Sequence, residues 1–210
     1  MNQKEWVVFF VTLISTINFA GLLGAFAMIK GVIGETFQVS EGYFGKLISN
    51  SGIVDALSFL GRVFGSIYVL LFPSKTLKKD FALNCLYTVA FLSLITLLPL
   101  YPSYSKAILA ISMLGSGFCR TYLTVPFIMY TENIDVEREK KMFSIWNALF
   151  YMGDVLAVLG SYLIMDVFHF KWQYSFCFFL LSFFASTLLF YFALPEITSN
   201  RGQEENSSSL

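Results

Sequence analysis

Charge is scarce in this chain: Asp, Glu, Lys and Arg make up 13% of its 210 residues, about half the share of an ordinary globular protein. The 14 basic residues are balanced by 14 acidic ones, so no basic excess is present to hold nucleic acid. Histidine occurs once. His169 falls in a short turn with no set of metal-ligating residues around it, and neither a nucleophile motif nor a Gly-rich phosphate loop is found. No metal, no cofactor and no enzymatic activity are therefore expected. The three cysteines, Cys85, Cys119 and Cys177, lie inside apolar runs; an odd number so placed is no disulfide framework, and they read as small packing residues.

What fills the chain instead is apolar mass. Hydrophobic residues reach 56%, with 24 Phe and 11 Tyr, and the mean hydropathy is +0.67. A membrane protein follows, with the lipid bilayer as its first partner. Runs long enough to cross about 30 Å of hydrocarbon are Trp6–Ile29, Leu47–Phe72, Phe81–Pro99, Ala107–Tyr130, Met142–Met165 and Trp172–Leu194. Ala25-Phe26-Ala27 has the form of a signal-peptidase site, but the run before it begins at Trp6 and exceeds a signal h-region, so it reads as a first membrane helix.

The breaks between runs carry turn residues or charge: Gly31 to Lys46, Pro73 to Asp80, Pro102-Ser103, Glu132 to Lys141, and Asp166 to Lys171. In the first of these, Ser40 is placed to cap an early start of the second helix. One side of the membrane collects Lys4, Lys75, Lys78, Lys79, Arg138, Lys140, Lys141 and Arg201, the other only Lys30, Lys46, Lys106 and Lys171. The positive-inside rule then places both termini in the cytoplasm. Residues 1–196 form the transmembrane domain, and the polar, Ser-rich tail 197–210 reads as disordered and cytoplasmic. Its Asn206-Ser207-Ser208 sequon is out of reach of glycosylation there.

Ionisable groups within a span cost about 2.5–3.5 kcal/mol at the helix centre on insertion scales, so each asks for a partner or for water. Asp55, Arg62, Arg120 and Asp154 stand out. Arg120 and Asp154 both fall near the middle of antiparallel neighbours and are placed to pair, either as a lock between two helices or as the lining of a cavity. Asn147, Tyr151 and Asp154 share one helix face at i, i+4 and i+7, with Trp146 leading into that stripe. Asp55 and Arg62 share a face but stand about 10.5 Å apart, so each looks to another helix or to water. Gly61 and Gly65 on the same helix, with Gly21 and Gly24 on the first, permit close helix approach, for packing or for gating motion. The aromatic runs Phe176 to Phe179 and Phe183-Phe184 read as mostly lipid-facing bulk.

From Gly115-Ser116-Gly117-Phe118-Cys119-Arg120-Thr121, through Pro126 and Arg138-Glu139-Lys140-Lys141, to Ser144-Ile145-Trp146-Asn147, Gly153-Asp154 and Gly160-Ser161, the chain resembles the organophosphate/sugar-phosphate exchanger (solute carrier 37 type) branch of the major facilitator superfamily. Lys171-Trp172-Gln173 and Leu194-Pro195-Glu196 are similar too, so the resemblance covers about residues 107–196. It implies an all-α fold of six transmembrane helices, a 3+3 inverted repeat equivalent to the N-terminal half of such a transporter. It further implies antiport of a small anionic solute by alternating access with a second half or a second copy of the chain. Arg120, Trp146, Asn147, Tyr151 and Asp154 would then bind the solute, while Asp55, Arg62, Gly61 and Gly65 would serve gating or helix pairing. The chain departs from that branch in its first span, where Trp6–Ile29 holds no arginine. The competing expectation is a non-transporting membrane subunit or truncated product that acts by assembly with a partner.

Overall fold

The computed structural model describes residues 3–36, 51–71, 77–121 and 136–194. Among these there are six α-helices and no strand: α1 (Gln3–Thr36), α2 (Ser51–Leu71), α3 (Leu77–Ser93), α4 (Ser105–Cys119), α5 (Val136–Tyr162) and α6 (Trp172–Ala193). Four stretches are long and apolar enough to cross a membrane: Glu5–Ile29, Lys78–Leu97, Phe143–Val167 and Trp172–Ala193. Helix α2, with 21 residues, has the length as well, about 31 Å, and carries Asp55 and Arg62.

Two helices outrun the expected spans. Helix α1 continues from Ile29 to Thr36 because its buried stripe does not stop at the expected loop: Leu22, Ala25, Ile29 and Ile33 repeat at helical spacing and all are buried. Helix α5 begins at Val136 rather than Met142, since the charged segment before the span is made of Glu, Arg and Lys, strong helix formers. Ser40, residues 47–50, the part of the fourth span beyond Thr121 and the tail 197–210 lie outside the described residues.

Helix ends follow local chemistry. Pro99 has no N–H to continue α3, so the chain tightens into a 3-10 turn, Leu94–Leu97, and the Leu98 N–H donates to the Ile95 carbonyl at 3.1 Å. Helix α5 loosens into a π turn, Leu163–Val167, and then stops. His169 adopts φ 54° there, and the following Phe170 N–H donates to the Ile164 carbonyl at 3.0 Å. The only histidine thus does the work of a left-handed helix cap, a conformation in which His, Asn and Asp are enriched among non-glycine residues.

In the packing, α1 lies against α5 and α6, α4 lies against α2 and α3, and α3 meets α6; α5 also touches its chain neighbour α6. Two of these contacts are glycine seams. A Cβ on Gly61 would strike the Leu114 carbonyl and the Phe118 nitrogen, one on Gly65 the Phe118 carbonyl, and one on Gly117 the backbone of Ser58, so α2 and α4 touch backbone to backbone. Helices α1 and α5 do the same where Gly153 faces the Ile17 carbonyl and Ala20, and where Gly24 faces Ala157.

Helix α6 is apolar all round, and burial divides its aromatics in two. Phe176, Phe179 and Phe183 are buried in the core, while Phe178 and Phe184 are exposed. The reading of these runs as lipid-facing bulk is thereby corrected: a helix turns a continuous aromatic run to both sides. Phe183 meets Phe19 edge-on at 5.3 Å, and Phe190 meets Phe81 at 4.4 Å. Polar side chains also tie α6 to its neighbours, with Ser175 donating to Ser161 of α5 at 2.9 Å and Ser182 bonded to Asn18 of α1.

Candidate functional site

The α2–α4 seam brings three charges together. Asp55, Ser58 and Arg62 follow one another at i, i+3 and i+7 on α2, and Arg120 enters from the end of α4, where the helix tightens into a 3-10 turn. Arg120 Nη1 donates to Ser58 Oγ at 3.2 Å, and its guanidinium carbon lies 5.8 Å from the centre of the Phe19 ring on α1. The guanidinium carbon of Arg62 sits 5.2 Å over Phe59. Asp55 and Arg120 line the same cavity, and Arg62 follows Asp55 on the same face of α2. The Nε atoms of Arg62 and Arg120 are buried, with no hydrogen-bond partner among the described residues.

Beside this cluster is a cavity of about 170 Å³ between α1, α2, α3 and α4; its walls include Phe26, Asp55, Ser58, Met113, Ser116 and Arg120. At about 30 Å³ per water it has room for five or six waters, or for one anionic head group. It is smaller than the roughly 300–1,000 Å³ of pockets that enclose a whole organic ligand.

Asp154 is elsewhere. Its Oδ1 lies against α1, 3.2 Å from where a Cβ on Gly24 would sit. The expected Arg120–Asp154 pair does not form, and the reason is the packing. Helices α4 and α5 are not packed partners, and α1 stands beside both, with Phe19 at Arg120 and Gly24 at Asp154. Arg120 takes its partner from α2 instead.

On α5 the i, i+4, i+7 stripe is an exposed face, with Asn147, Tyr151 and Asp154 all accessible. Trp146 is not on it: with 8% exposure it belongs to the hydrophobic core. Asp55 is brought to one cavity with Ser58 and Arg120, Arg62 is not among the described walls of that cavity, and Gly61 and Gly65 form the α2–α4 seam. Sequence reasoning missed Ser58 and Ser116. Ser58 was within reach of it, lying three residues after Asp55 and four before Arg62 on the same helix face; Phe19 and Phe26 gave no such signal. In comparisons with known proteins, no protein-family model, no curated protein and no solved structure matched the chain.

Proposed function

We propose that the chain is one six-helix half of a transporter of the major facilitator type. It moves a small anionic solute of the organophosphate or sugar-phosphate class by alternating access against a second half or a second copy of itself. The observation that carries this reading is the cavity at the α2–α4 seam, which Arg120 lines with Asp55 and Ser58, its guanidinium held by Ser58. A guanidinium offers a planar fork to a phosphate or carboxylate, and a desolvated one binds it more strongly than one in water.

The packing supports a 3+3 repeat. Exchanging α1 with α4, α2 with α5 and α3 with α6 turns the α1–α5 contact into α4–α2 and the α1–α6 contact into α4–α3, and it leaves α3–α6 in place. The two glycine seams are exchanged by the same operation. Further support comes from Asp154, exposed at the centre of the Phe143–Val167 span: a carboxylate at that depth is costly against lipid, and the Asn147–Tyr151–Asp154 face suits a water-filled path or a second half. The small cavity then holds the anionic head, and the rest of the solute takes its walls from the other half. Both termini lie in the cytoplasm, and Arg120 fixes the anion while Asp55 returns to it as a counter-ion when the solute leaves.

The test is exchange of labelled inorganic phosphate or sugar phosphate by the protein reconstituted in liposomes. Arg120→Ala lowers the rate at least about tenfold at equal incorporation, and Asp166→Asn leaves it unchanged; an Arg120→Ala protein that exchanges at the normal rate sinks the assignment.

One observation favours a second reading. The Arg120–Ser58 bond crosses from α4 to α2 as a helix lock does, which suits a non-transporting membrane subunit that acts by assembly. On that reading, liposomes show no exchange, and the Arg120→Leu/Asp154→Leu double variant assembles to the same particle mass as the native chain.

A further inference from the structure

A second cavity, larger than the first, lies on another flank of the bundle. It measures about 470 Å³, and its walls come from α2, α3 and α4. On α3, Asp80, Asn84, Tyr87 and Phe91 line it at i, i+4, i+7 and i+11, a single helical stripe. Tyr68 from α2 and Phe118 from α4 close the far side, their rings 5.5 Å apart.

The stripe is graded. A carboxylate stands in the first turn of α3, at the end of a membrane-crossing stretch. An amide, a phenol and a phenyl ring follow in order over about 16 Å of helix. The gradient is that of an amphiphile lying along the helix, with its polar end at Asp80 and its chain towards Phe91. Among the described lining residues Asp80 is the one charged group, and its carboxylate has no hydrogen-bond or ion-pair partner among the described residues. A positively charged head group is the complement of that carboxylate in the groove. Aromatic faces beside a carboxylate are the chemistry that holds a quaternary ammonium, by cation–π attraction together with an opposite charge. The site is open to the bundle's surface, since Tyr87 is 55% exposed, and its volume falls within the range that accepts an organic ligand.

We propose that this groove binds a membrane lipid with a quaternary ammonium head group, the trimethylammonium against Asp80, Tyr87 and Tyr68, and an acyl chain along Phe91 and Phe118. The site is separate from the Arg120 cavity and does not depend on what that cavity transports. Lining by a lone carboxylate and rings rejects an anionic lipid head and leaves the groove to a choline lipid.

Native mass spectrometry of the full chain released from detergent, loaded with phosphatidylcholine or phosphatidylglycerol of identical chains, reads this out. The native protein retains phosphatidylcholine over phosphatidylglycerol about tenfold. Asp80→Asn brings the ratio to near one, as loss of a charge-assisted contact worth about 1.5 kcal/mol requires. Tyr87→Leu lowers phosphatidylcholine retention about threefold while keeping the groove apolar. Asp166→Asn, a carboxylate outside the groove, leaves the preference intact. Equal retention of the two lipids by the native chain overturns the proposal, and so does a choline preference that survives in both Asp80→Asn and Tyr87→Leu. Displacement of bound lipid by excess soluble phosphocholine overturns the assignment to a lipid, because a chain-anchored ligand resists a head group alone.

Discussion

The α2–α4 and α1–α5 contacts use the same device and carry different charges. In each, glycines bring two helix backbones into direct contact: Gly61, Gly65 and Gly117 in one, Gly24 and Gly153 in the other. At the first seam Arg120 and Asp55 line a cavity, Arg62 follows on the same face of α2, and Arg120 is anchored by Ser58. At the second a single carboxylate, Asp154, lies over Gly24, with no ion-pair partner among the described residues, and faces outward. Close packing is thus the common framework, and charge is what distinguishes the two seams. Glycine alone therefore does not mark a functional helix pair in this fold; the ionisable groups that the glycines let approach do.

The largest expected effect tests the framework. Gly61→Val and Gly153→Val each force a branched side chain into backbone atoms of the facing helix, which flexible side chains cannot relieve. Each variant loses about 3 kcal/mol, at the upper end for overpacking, measured as a lowered midpoint of thermal unfolding in detergent. Gly160→Ala is the control: its nearest neighbour is the tip of the Phe179 ring at 3.0 Å, so a small shift accommodates it. If one seam tolerates valine and the other does not, the equivalence between them fails.

How much of this was legible in the sequence depends on what each feature is made of. Helix positions were legible because apolar runs and breakers are local. The spans Trp6–Ile29 and Met142–Met165 agree with the apolar stretches Glu5–Ile29 and Phe143–Val167, but the helices run on past them, through the helical spacing of Ile29 and Ile33 and through the helix-forming Glu, Arg and Lys after Val136. Charged residues at depth were legible as requiring partners, but the partner was not: Asp154 and Arg120 have matching depth, and only the placement of α1 beside both explains why they are apart. For the α6 aromatics hydropathy fails in principle, since lipid and protein core are equally apolar. Phe178, 56% exposed, and Phe183, fully buried, are the same residue to any hydropathy count.

The next effect in size separates the two charged sites. Arg120→Leu removes the hydrogen bond to Ser58 and the approach to Phe19 and leaves Asp55 beside a less positive cavity, at a cost of about 1–3 kcal/mol. Asp154→Leu removes a carboxylate that has no ion-pair partner among the described residues, and its stability is unchanged or higher. Unfolding midpoints of the two single variants check this. Equal losses would mean that Asp154 is bound as tightly as Arg120 and that the contrast between the seams is not one of charge.

The smallest effect is the most discriminating for Arg120. Ser58→Ala deletes one acceptor and nothing else, and hydrogen bonds between membrane helices are worth about 0.6 kcal/mol on average. If Arg120 is there to lock α4 to α2, that modest loss of stability is the whole consequence, because Ser58 Oγ is its hydrogen-bonded side-chain partner. If Arg120 is there to meet an anion, Ser58 instead holds its guanidinium in position at the cavity wall. Anion exchange by Ser58→Ala then shows a raised KM, about threefold or more, with a nearly unchanged maximal rate. The same 3.2 Å bond thus yields different measurements under the two readings, and an unmoved KM together with the small stability loss leaves Arg120 as a structural residue.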